Sequence, residues 1–149
     1  MEPVLSTLSR EQCLRLMATA PVGRLIYTRQ AMPAVELVNF TINAGDIVIR
    51  TAASGKLIAA IRGTVVAFEA DDVDPDAGSG WSVTVVGHAR PIIDPADIDK
   101  LRTTGPRPWM PGEPPYFVRI TPGMLNGRWL TSADNAPAGP DAVVRPIAR

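Results

Sequence analysis

The sequence has very few of the residues from which disulfides and metal sites are built. Its 149 residues include one cysteine, Cys13, and one histidine, His88. A single cysteine excludes an intramolecular disulfide and argues against a metal cluster of cysteines. A lone histidine likewise has no second imidazole with which to share a metal ion. We therefore expect a domain held together by its hydrophobic core.

There is no excess of charge of either sign. Lys+Arg and Asp+Glu are both 15, so the formal net charge is zero. Such a chain has no overall basic field to attract a phosphate backbone, and nucleic acid is not an expected partner. Lysine is scarce: Lys56 and Lys100 are the only two, beside 13 arginines.

Long hydrophobic runs are also missing. No apolar run approaches the roughly 18 residues that a membrane span needs. The first residues, "MEPVLSTLSREQ", lack the basic and apolar regions of a secretion signal. We therefore expect a cytoplasmic protein without a membrane partner.

The composition that is present fits one globular domain. With 46% hydrophobic and 20% charged residues, a chain of this length can bury a sizeable core. From residue 132 the chain becomes rich in Ala, Pro and Asp. We predict a domain over 1–131 and a tail over 132–149 that is disordered or wraps a partner subunit. The proline-rich segment 105–115 is predicted to be a loop of unknown role.

The periodicity predicts mostly strands. Apolar and alternating runs predict strands at 23–28, 33–42, 46–51, 64–71, 81–93, 116–121 and 124–130. Capping patterns predict helices at 9–20, about 55–62 and 94–103. Short turns between successive strands favour an antiparallel sheet, which hides its edges by closing. The sequence thus predicts a mainly-β fold, a six- to seven-stranded antiparallel barrel with short peripheral helices.

The stretch "RTAASGK", residues 50–56, concentrates hydrogen-bond donors where a strand gives way to a helix. Arg50 and Lys56 carry positive charge, and Thr51 and Ser54 carry hydroxyls. The backbone amides of Gly55 and Lys56 would be unpaired in the first helical turn. Such converging donors are typical of a site for a terminal phosphate. The alternative is a helix capped by Ser54 with a solvated Arg and Lys.

Two common phosphate motifs are excluded at this junction. A Walker loop needs glycine where Arg50 stands and Ser or Thr where Leu57 follows the lysine. The dinucleotide G-x-G-x-x-G pattern is also missing. The residues alone therefore leave the phosphate site and the capped turn both open.

The order of the segments resembles a known family. It carries "GRLIYT", "PAVELVNF", "DIVIRTAASGKL", "VAFEAD" and "GWSVTVVGHA" in that sequence. In this the chain resembles the pyridoxamine 5′-phosphate oxidase-like family of FMN-binding split barrels, in its small branch with nitroimidazole-resistance-type proteins. The resemblance covers about residues 7–130 and is weaker in the last third.

The resemblance implies a homodimer that binds FMN at its interface. The residues implied to hold the FMN phosphate are Arg50, Thr51, Ser54 and Lys56. Those implied to line the isoalloxazine, partly through main-chain bonds, are Val38, Asn39 and Phe40. Three more are implied near the ring: Trp81 and Ser82, where the second subunit reaches the flavin, and Trp129.

The expected activity follows from the same resemblance. We expect an FMN-dependent oxidoreductase, or a flavin-binding protein, that passes hydride or electrons to a small organic acceptor. No histidine follows Arg128 as an Arg-x-His substrate element would require, so pyridoxamine phosphate is not the expected substrate. The alternatives are a deazaflavin-dependent reductase on the same barrel and a non-catalytic carrier of flavin or haem. No catalytic residue can be named.

Other conspicuous residues have ordinary explanations. His88 is expected to be a strand residue with a common hydrogen bond, in preference to a haem or catalytic role. Cys13 is expected to pack a helix. For Trp81 the two roles of core anchor and flavin contact are equally expected. The acidic run 69–76 lacks the spaced ligands of a calcium loop and is expected to be solvated.

Overall fold

The computed structural model describes residues 4–51, 55–108 and 116–131. Within them it contains seven strands and three helices. The strands are β1 (Val4–Thr7), β2 (Gly23–Arg29), β3 (Met32–Asn43), β4 (Asp46–Thr51), β5 (Val65–Asp74), β6 (Ser79–Pro91) and β7 (Tyr116–Thr131). The helices are α1 (Arg10–Met17), α2 (Gly55–Ile61) and α3 (Pro95–Thr104).

The strands form one antiparallel sheet that closes on itself. The order is β1-β7-β4-β3-β2-β5-β6, and β7 also pairs with β6. Six strands, β2 to β7, thus complete a ring, and β1 is added along the far end of β7. Closure leaves few unpaired backbone groups at sheet edges. The predicted antiparallel barrel is confirmed, as are its short peripheral helices.

The C-terminal strand differs from the prediction. Residues 116–121 and 124–130 were expected to form two strands, and this is wrong, because β7 is a single strand of 16 residues. Its first part pairs with β4 and its last part with β1, while β6 pairs along most of its length. Pro122 is tolerated because the register shifts opposite it, between Val86 and Gly87. The shift leaves Gly123 of β7 as the extra residue of a β-bulge.

The barrel interior holds the main core. Phe68, Leu25, Ile47, Ile49 and Ile120 are fully buried there, and Phe40 meets Phe68 edge to face at 4.8 Å between ring centroids. Helix α1 belongs to this core through its buried residues Cys13, Leu16 and Met17. Alternation along each strand sends the intervening side chains outward.

The two longer helices begin at side-chain caps found in the sequence. Ser9 accepts a hydrogen bond from the amide of Gln12, whose side chain accepts one from the amide of Ser9. This reciprocal capping box starts α1 as predicted. Asp94 caps α3 by accepting from the amide of Ala96, and Pro95 occupies the first helical position. All three predicted helices are confirmed, each with shifted ends.

Helix α3 explains why β4 is apolar on both of its faces. Ile47 and Ile49 point into the barrel, while Val48 is buried outside it in a second, smaller cluster. Leu101 of α3 and Phe117 of β7 complete that cluster. One side of the barrel is therefore covered, and the chain leaving α3 runs over the outer face of β3.

Strand β1 was not predicted. Val4 and Leu5 are both more than half exposed, so the four residues show no alternation that would predict a strand. Pairing with β7 holds the segment in place. The predicted tail 132–149 lies outside the described residues, so the proposed domain boundary at 131 stays a prediction. None of the helices in the described ranges has the length and apolarity needed to span a membrane.

Candidate functional site

Asn39, Arg50 and Phe117 lie side by side on the outer surface of three neighbouring strands. Asn39 of β3 is opposite Arg50 of β4, and Arg50 is opposite Phe117 of β7. The Arg50 guanidinium carbon lies 5.2 Å from the centroid of the Phe117 ring. Only 9% of Arg50 is exposed. This corner therefore holds a positive charge that is largely withdrawn from water.

A groove of about 440 Å³ runs beside this corner. One wall is the outer side of β3, and the other is the segment 105–108 that follows α3. The Asn39 side-chain amide donates a hydrogen bond of 2.7 Å to the Arg107 carbonyl and so ties the two walls together. The residues lining the groove are Ala20, Pro21, Asn39, Phe40, Thr41, Gly105, Pro106, Arg107 and Pro108.

The floor of the groove is a strand edge. Strand β2 begins at Gly23, which is opposite Val38, so β3 has no β2 partner from Asn39 onward. Over Asn39–Asn43 its pairing within the described residues is with β4 alone. Backbone N–H and C=O groups on the other side are thus available to a ligand. A planar molecule with polar atoms along one edge fits such a border.

The three residues predicted to line the isoalloxazine differ in the direction of their side chains. Val38 and Phe40 turn their side chains into the barrel core, where both are buried. They can meet a ligand in the groove only through their main chain, as the sequence resemblance implied. Asn39 points outward to the groove and contributes its side chain.

The predicted phosphate junction is described in part. Arg50 and Thr51 end β4, and both are buried. Gly55 and Lys56 form the start of α2, whose buried side carries Leu57 and Ile61. Ser54 and the side chain of Lys56 lie outside what the structure describes, so their part in the site stays a prediction.

The predicted residues on β6 and β7 divide between core and surface. Trp81 and Trp129 are cross-strand partners that point inward, and both are buried in the main core. This burial favours the core-anchor interpretation of Trp81. Trp129 Nε1 is a buried donor with no acceptor among the described residues. Ser82 points outward, opposite Asp71 on one side and Arg128 on the other.

Ser82 and Asn39 share the outer surface but lie apart on it. Strands β2 and β5 separate them, so three interstrand spacings, or roughly 14 Å, lie between their positions. A single chain therefore does not bring Ser82 to the groove. The roles predicted for Ser82, Trp81 and Trp129 in ligand binding stay predictions.

Sequence reasoning missed two parts of this region. The segment 105–108 was expected to be a loop of unknown role, yet it forms a groove wall. Its proline content was the available signal. The second is a charged cluster on the outer surface of β2 and β5. Arg24 Nη1 contacts the carboxylates of Glu69 at 2.9 Å and Asp71 at 3.2 Å. Desolvation and the neighbouring Asp71 raise the pKa of Glu69 to about 7.

The remaining candidates behave as ordinary structural residues. Cys13 is buried as a free thiol, and its burial raises the pKa of that thiol. His88 is exposed on β6, on the same side as Ser82. Among the described residues there is no group of three or more His, Cys, Asp or Glu side chains placed to hold a metal ion. The groove beside Arg50 therefore remains the candidate cofactor site.

The residues present fit a flat cofactor that carries a phosphate. A buried guanidinium lies beside the groove, and an open strand edge forms its floor. The groove volume falls within the roughly 300–1,000 Å³ typical of small-molecule sites.

The fold is a split β-barrel with short peripheral helices. Residues 9–129 match the family described as pyridoxamine 5′-phosphate oxidase. The chain belongs to that family, and the family predicted from the sequence is confirmed.

Three similar proteins illustrate the family. The uncharacterized protein Rv0080 of Mycobacterium tuberculosis is 34% identical over 135 residues, covering 87% of this chain and 88% of that protein. The FAD binding protein from Mycobacterium smegmatis is 31% identical with a TM-score of 0.73, covering 86% of this chain and 100% of that one. A candidate pyridoxamine 5′-phosphate oxidase from Corynebacterium glutamicum is 31% identical with a TM-score of 0.77, covering 88% and 96%.

Proposed function

We propose that the protein binds a flavin nucleotide in the groove between β3 and the segment 105–108. The isoalloxazine lies along the open edge of β3, and the phosphate lies at the junction of β4 and α2. The observation that carries this proposal is the buried Arg50 next to a strand edge that has lost its neighbour. Arg50 binds the anion, and Asn39 holds the groove wall in place.

The flavin is either FMN or FAD. The sequence resemblance implies FMN, because the donors at residues 50–56 suit a terminal phosphate. The Mycobacterium smegmatis relative, at 31% identity, is an FAD binding protein and supports FAD. Both share the ring and the first phosphate, so the same residues serve either molecule. A deazaflavin is the remaining alternative, and haem is not favoured.

We also propose that the protein acts as a homodimer. An apolar row crosses five strands of the outer surface: Val35, Ile26, Ala67, Val86 and Met124 are successive cross-strand partners. Val35 and Met124 at its two ends are more than half exposed, as is Leu37 beside it. The row passes around most of the six-stranded ring, so a second copy would cover only its β3 and β2 part, with Val35, Leu37 and Ile26.

A second copy on this surface would complete the groove. Val35, Leu37 and Asn39 are successive outward positions of β3, so the apolar row leads directly to the groove. A partner covering Val35 and Leu37 would reach the groove's open side and exclude water from it. The implied contact of Ser82 from the second subunit stays a prediction.

The proposed activity is electron or hydride transfer to a small organic acceptor such as a quinone or nitroaromatic compound. The flavin supplies the redox chemistry, and the chain binds, orients and shields it. No described side chain has the position of a general acid or base in the groove, so we assign no catalytic residue. Pyridoxamine phosphate is not favoured, since no histidine follows Arg128. We place this activity in the cytoplasm, where a lone thiol such as Cys13 stays reduced.

The test is the identity of the bound molecule. Protein purified without added cofactor is expected to show the absorption bands of oxidised flavin, and denaturation is expected to release FMN or FAD identifiable by mass. Release of a deazaflavin would instead establish the alternative reductase. Protein that is colourless, and that binds none of these molecules when they are supplied, would overturn the proposal. Steady-state turnover with a reductant and a quinone then separates an enzyme from a carrier.

A further inference from the structure

A small apolar notch lies on the outer surface of β5, β6, β7 and β1, strands that do not line the groove. Its residues are successive cross-strand partners: Val73, Gly80, Leu130 and Leu5. Because Gly80 has no side chain, a gap of about 180 Å³ remains between Val73 and Leu130. A Cβ at Gly80 would strike the backbone of Asp72 and Val73, and its φ of +155° also favours glycine. The gap is therefore built into the backbone.

The notch leaves apolar side chains in water. Leu5 and Val73 at its two ends are 58% and 55% exposed. Its volume of about 180 Å³ is below the roughly 300–1,000 Å³ typical of small-molecule sites, but it accepts one aliphatic side chain. The occupant that fits is therefore a single side chain presented by an extended segment of polypeptide.

The two sides of the notch carry opposite charges. On the β5 side, which we call the acidic side, Asp72, Asp74 and Asp76 are exposed. On the β7 side, Arg128 lines the notch. Among the described residues, none of these four side chains forms an ion pair. Two interstrand spacings, or roughly 10 Å, separate β5 from β7, so a segment crossing the notch needs an acidic residue at its β7 end and a basic one at its β5 end.

The chain continues directly from the notch. Strand β7 ends at Thr131, next to Leu130 in the notch wall, and residues 132–149 follow. The first of these, "SADNAPAGP" at 132–140, include the Asn, Gly and Pro residues that favour turns. A loop of this length closes at modest entropic cost. Residues beyond 140 can therefore return to the surface from which β7 departs.

Residues 141–145 have the required order of side chains. They read "DAVVR", an acidic residue, then apolar residues, then a basic residue. Val143 and Val144 are β-branched and favour an extended backbone. In such a backbone Asp141, Val143 and Arg145 share one side and span roughly 13 Å. This span, with flexible charged side chains at both ends, matches the distance from Arg128 to the acidic side.

We propose that residues 141–145 dock across β7, β6 and β5 of their own chain, with Val143 in the notch, Asp141 at Arg128 and Arg145 at the acidic side. Docking removes the apolar surface of Val143 and of the notch from water. The charges fix the direction, because a reversed segment would place Asp141 against the carboxylates of the acidic side. The inference depends neither on the flavin nor on the homodimer.

Nuclear magnetic resonance relaxation of the full-length protein tests the inference. In the wild type, backbone order parameters of residues 142–145 are expected to be about 0.8, close to the value of a rigid backbone. Val143→Asp places a charge in the notch and is expected to lower them below about 0.6, the range of a flexible chain. Val144→Asp is the matched control, because it makes the same change at a side chain that faces away, and it is expected to keep the wild-type values.

A second pair of variants tests the charges. Arg145→Glu is expected to lower the order parameters as Val143→Asp does, because it turns attraction to the acidic side into repulsion. Arg149→Glu makes the same change beyond the docked segment and is expected to leave them unchanged. Equal effects of these two variants would overturn the pairing of Arg145 with the acidic side.

The remaining outcomes are equally direct. Order parameters below about 0.6 at residues 142–145 of the wild type overturn the docking. This result needs no variant, so the inference can be refuted even if a substitution impairs folding. Equal effects of Val143→Asp and Val144→Asp overturn the assignment of Val143 to the notch. Order that appears only as the protein concentration rises assigns the notch to a second copy and overturns docking within one chain.

Discussion

Asn39 and Arg50 lie directly opposite each other on β3 and β4, and they act on two different parts of the groove. Asn39 holds the segment 105–108 through the Arg107 carbonyl, whereas Arg50 brings a buried positive charge to the phosphate junction. This cross-strand pair thus joins the wall of the groove to the proposed phosphate site at the junction of β4 and α2. Changes at the two residues should therefore have different signatures.

Removing the two positive charges at the junction of β4 and α2 tests the proposed phosphate site. The double variant Arg50→Ala/Lys56→Ala is expected to lose most of its flavin affinity, since each charge-assisted hydrogen bond contributes about 1.5–3 kcal/mol. Titration of the cofactor-free protein with FMN and with FAD measures the loss. The matched control is Arg62→Ala/Lys100→Ala, which removes the same charge at two exposed positions. Equal affinity in both double variants would refute the phosphate assignment.

Removing the side-chain amide of Asn39 tests the groove wall. In Asn39→Ala the Arg107 carbonyl loses its donor, so hydrogen exchange of a peptide spanning 101–108 is expected to speed up by about five- to tenfold, the equivalent of a hydrogen bond of about 1 kcal/mol. Asn43→Ala, an exposed change on the same strand, is the control. Unchanged exchange in Asn39→Ala would show that the wall is held by other contacts.

The close approach of α1 to β7 predicts a stability effect at Gly127. A Cβ added there would meet Cys13 Sγ and Leu8 Cδ1, so Gly127→Ala is expected to cost about 1–3 kcal/mol of unfolding free energy. Gly123→Ala on the same strand is the control, because its Cβ would meet the Val86 carbonyl at an ordinary 3.4 Å. Adding Cys13→Ala to Gly127→Ala should recover part of the loss. Chemical denaturation measures all four proteins, and equal stability of the two glycine variants would contradict the packing.

The raised pKa of Glu69 predicts how stability depends on pH. Its pKa rises from 4.5 to about 7 on folding, so between these values the folded chain holds more protons than the unfolded one. The stabilisation by this proton is complete below 4.5 and is lost as the pH rises through 7. Glu69→Gln lacks the effect and should gain on the wild type by on the order of 2 kcal/mol between pH 5 and 8. Chemical denaturation of both proteins at a fixed concentration measures the difference in unfolding free energy. If this difference stays constant with pH or changes in the opposite direction, the raised pKa of Glu69 is refuted.

Local sequence signals predicted the elements well wherever one strong pattern acted alone. The capping box at Ser9 and the Asp94–Pro95 start predicted two helices, and alternation of side chains predicted strand β3. Strand β7 was split in the prediction because Pro122 and Gly123 look like a turn. A register shift opposite Gly87 of β6 instead lets Pro122 and Gly123 stay within one strand. That shift depends on β6, which is distant in sequence.

The candidate site was predictable only where its residues are consecutive in the chain. The cluster at residues 50–56 could be found because its donors follow one another. The groove could not, since it joins residues 20–21, 39–41 and 105–108, which only the closed barrel brings together. The cluster of Arg24, Glu69 and Asp71 could not be predicted from the sequence for the same reason. Its carboxylates alternate on β5, but the arginine that bridges them comes from a different strand.

The pairing of β7 has a consequence for how the protein is made. This strand joins β4 to β6 and also carries β1, so the ring stays open until residues 116–131 have been synthesised. Until then a nascent chain exposes the edges of both β4 and β6. Contacts so distant in sequence form slowly, and exposed strand edges favour aggregation. We expect refolding yield to be limited by this late closure and to fall steeply as chain concentration rises.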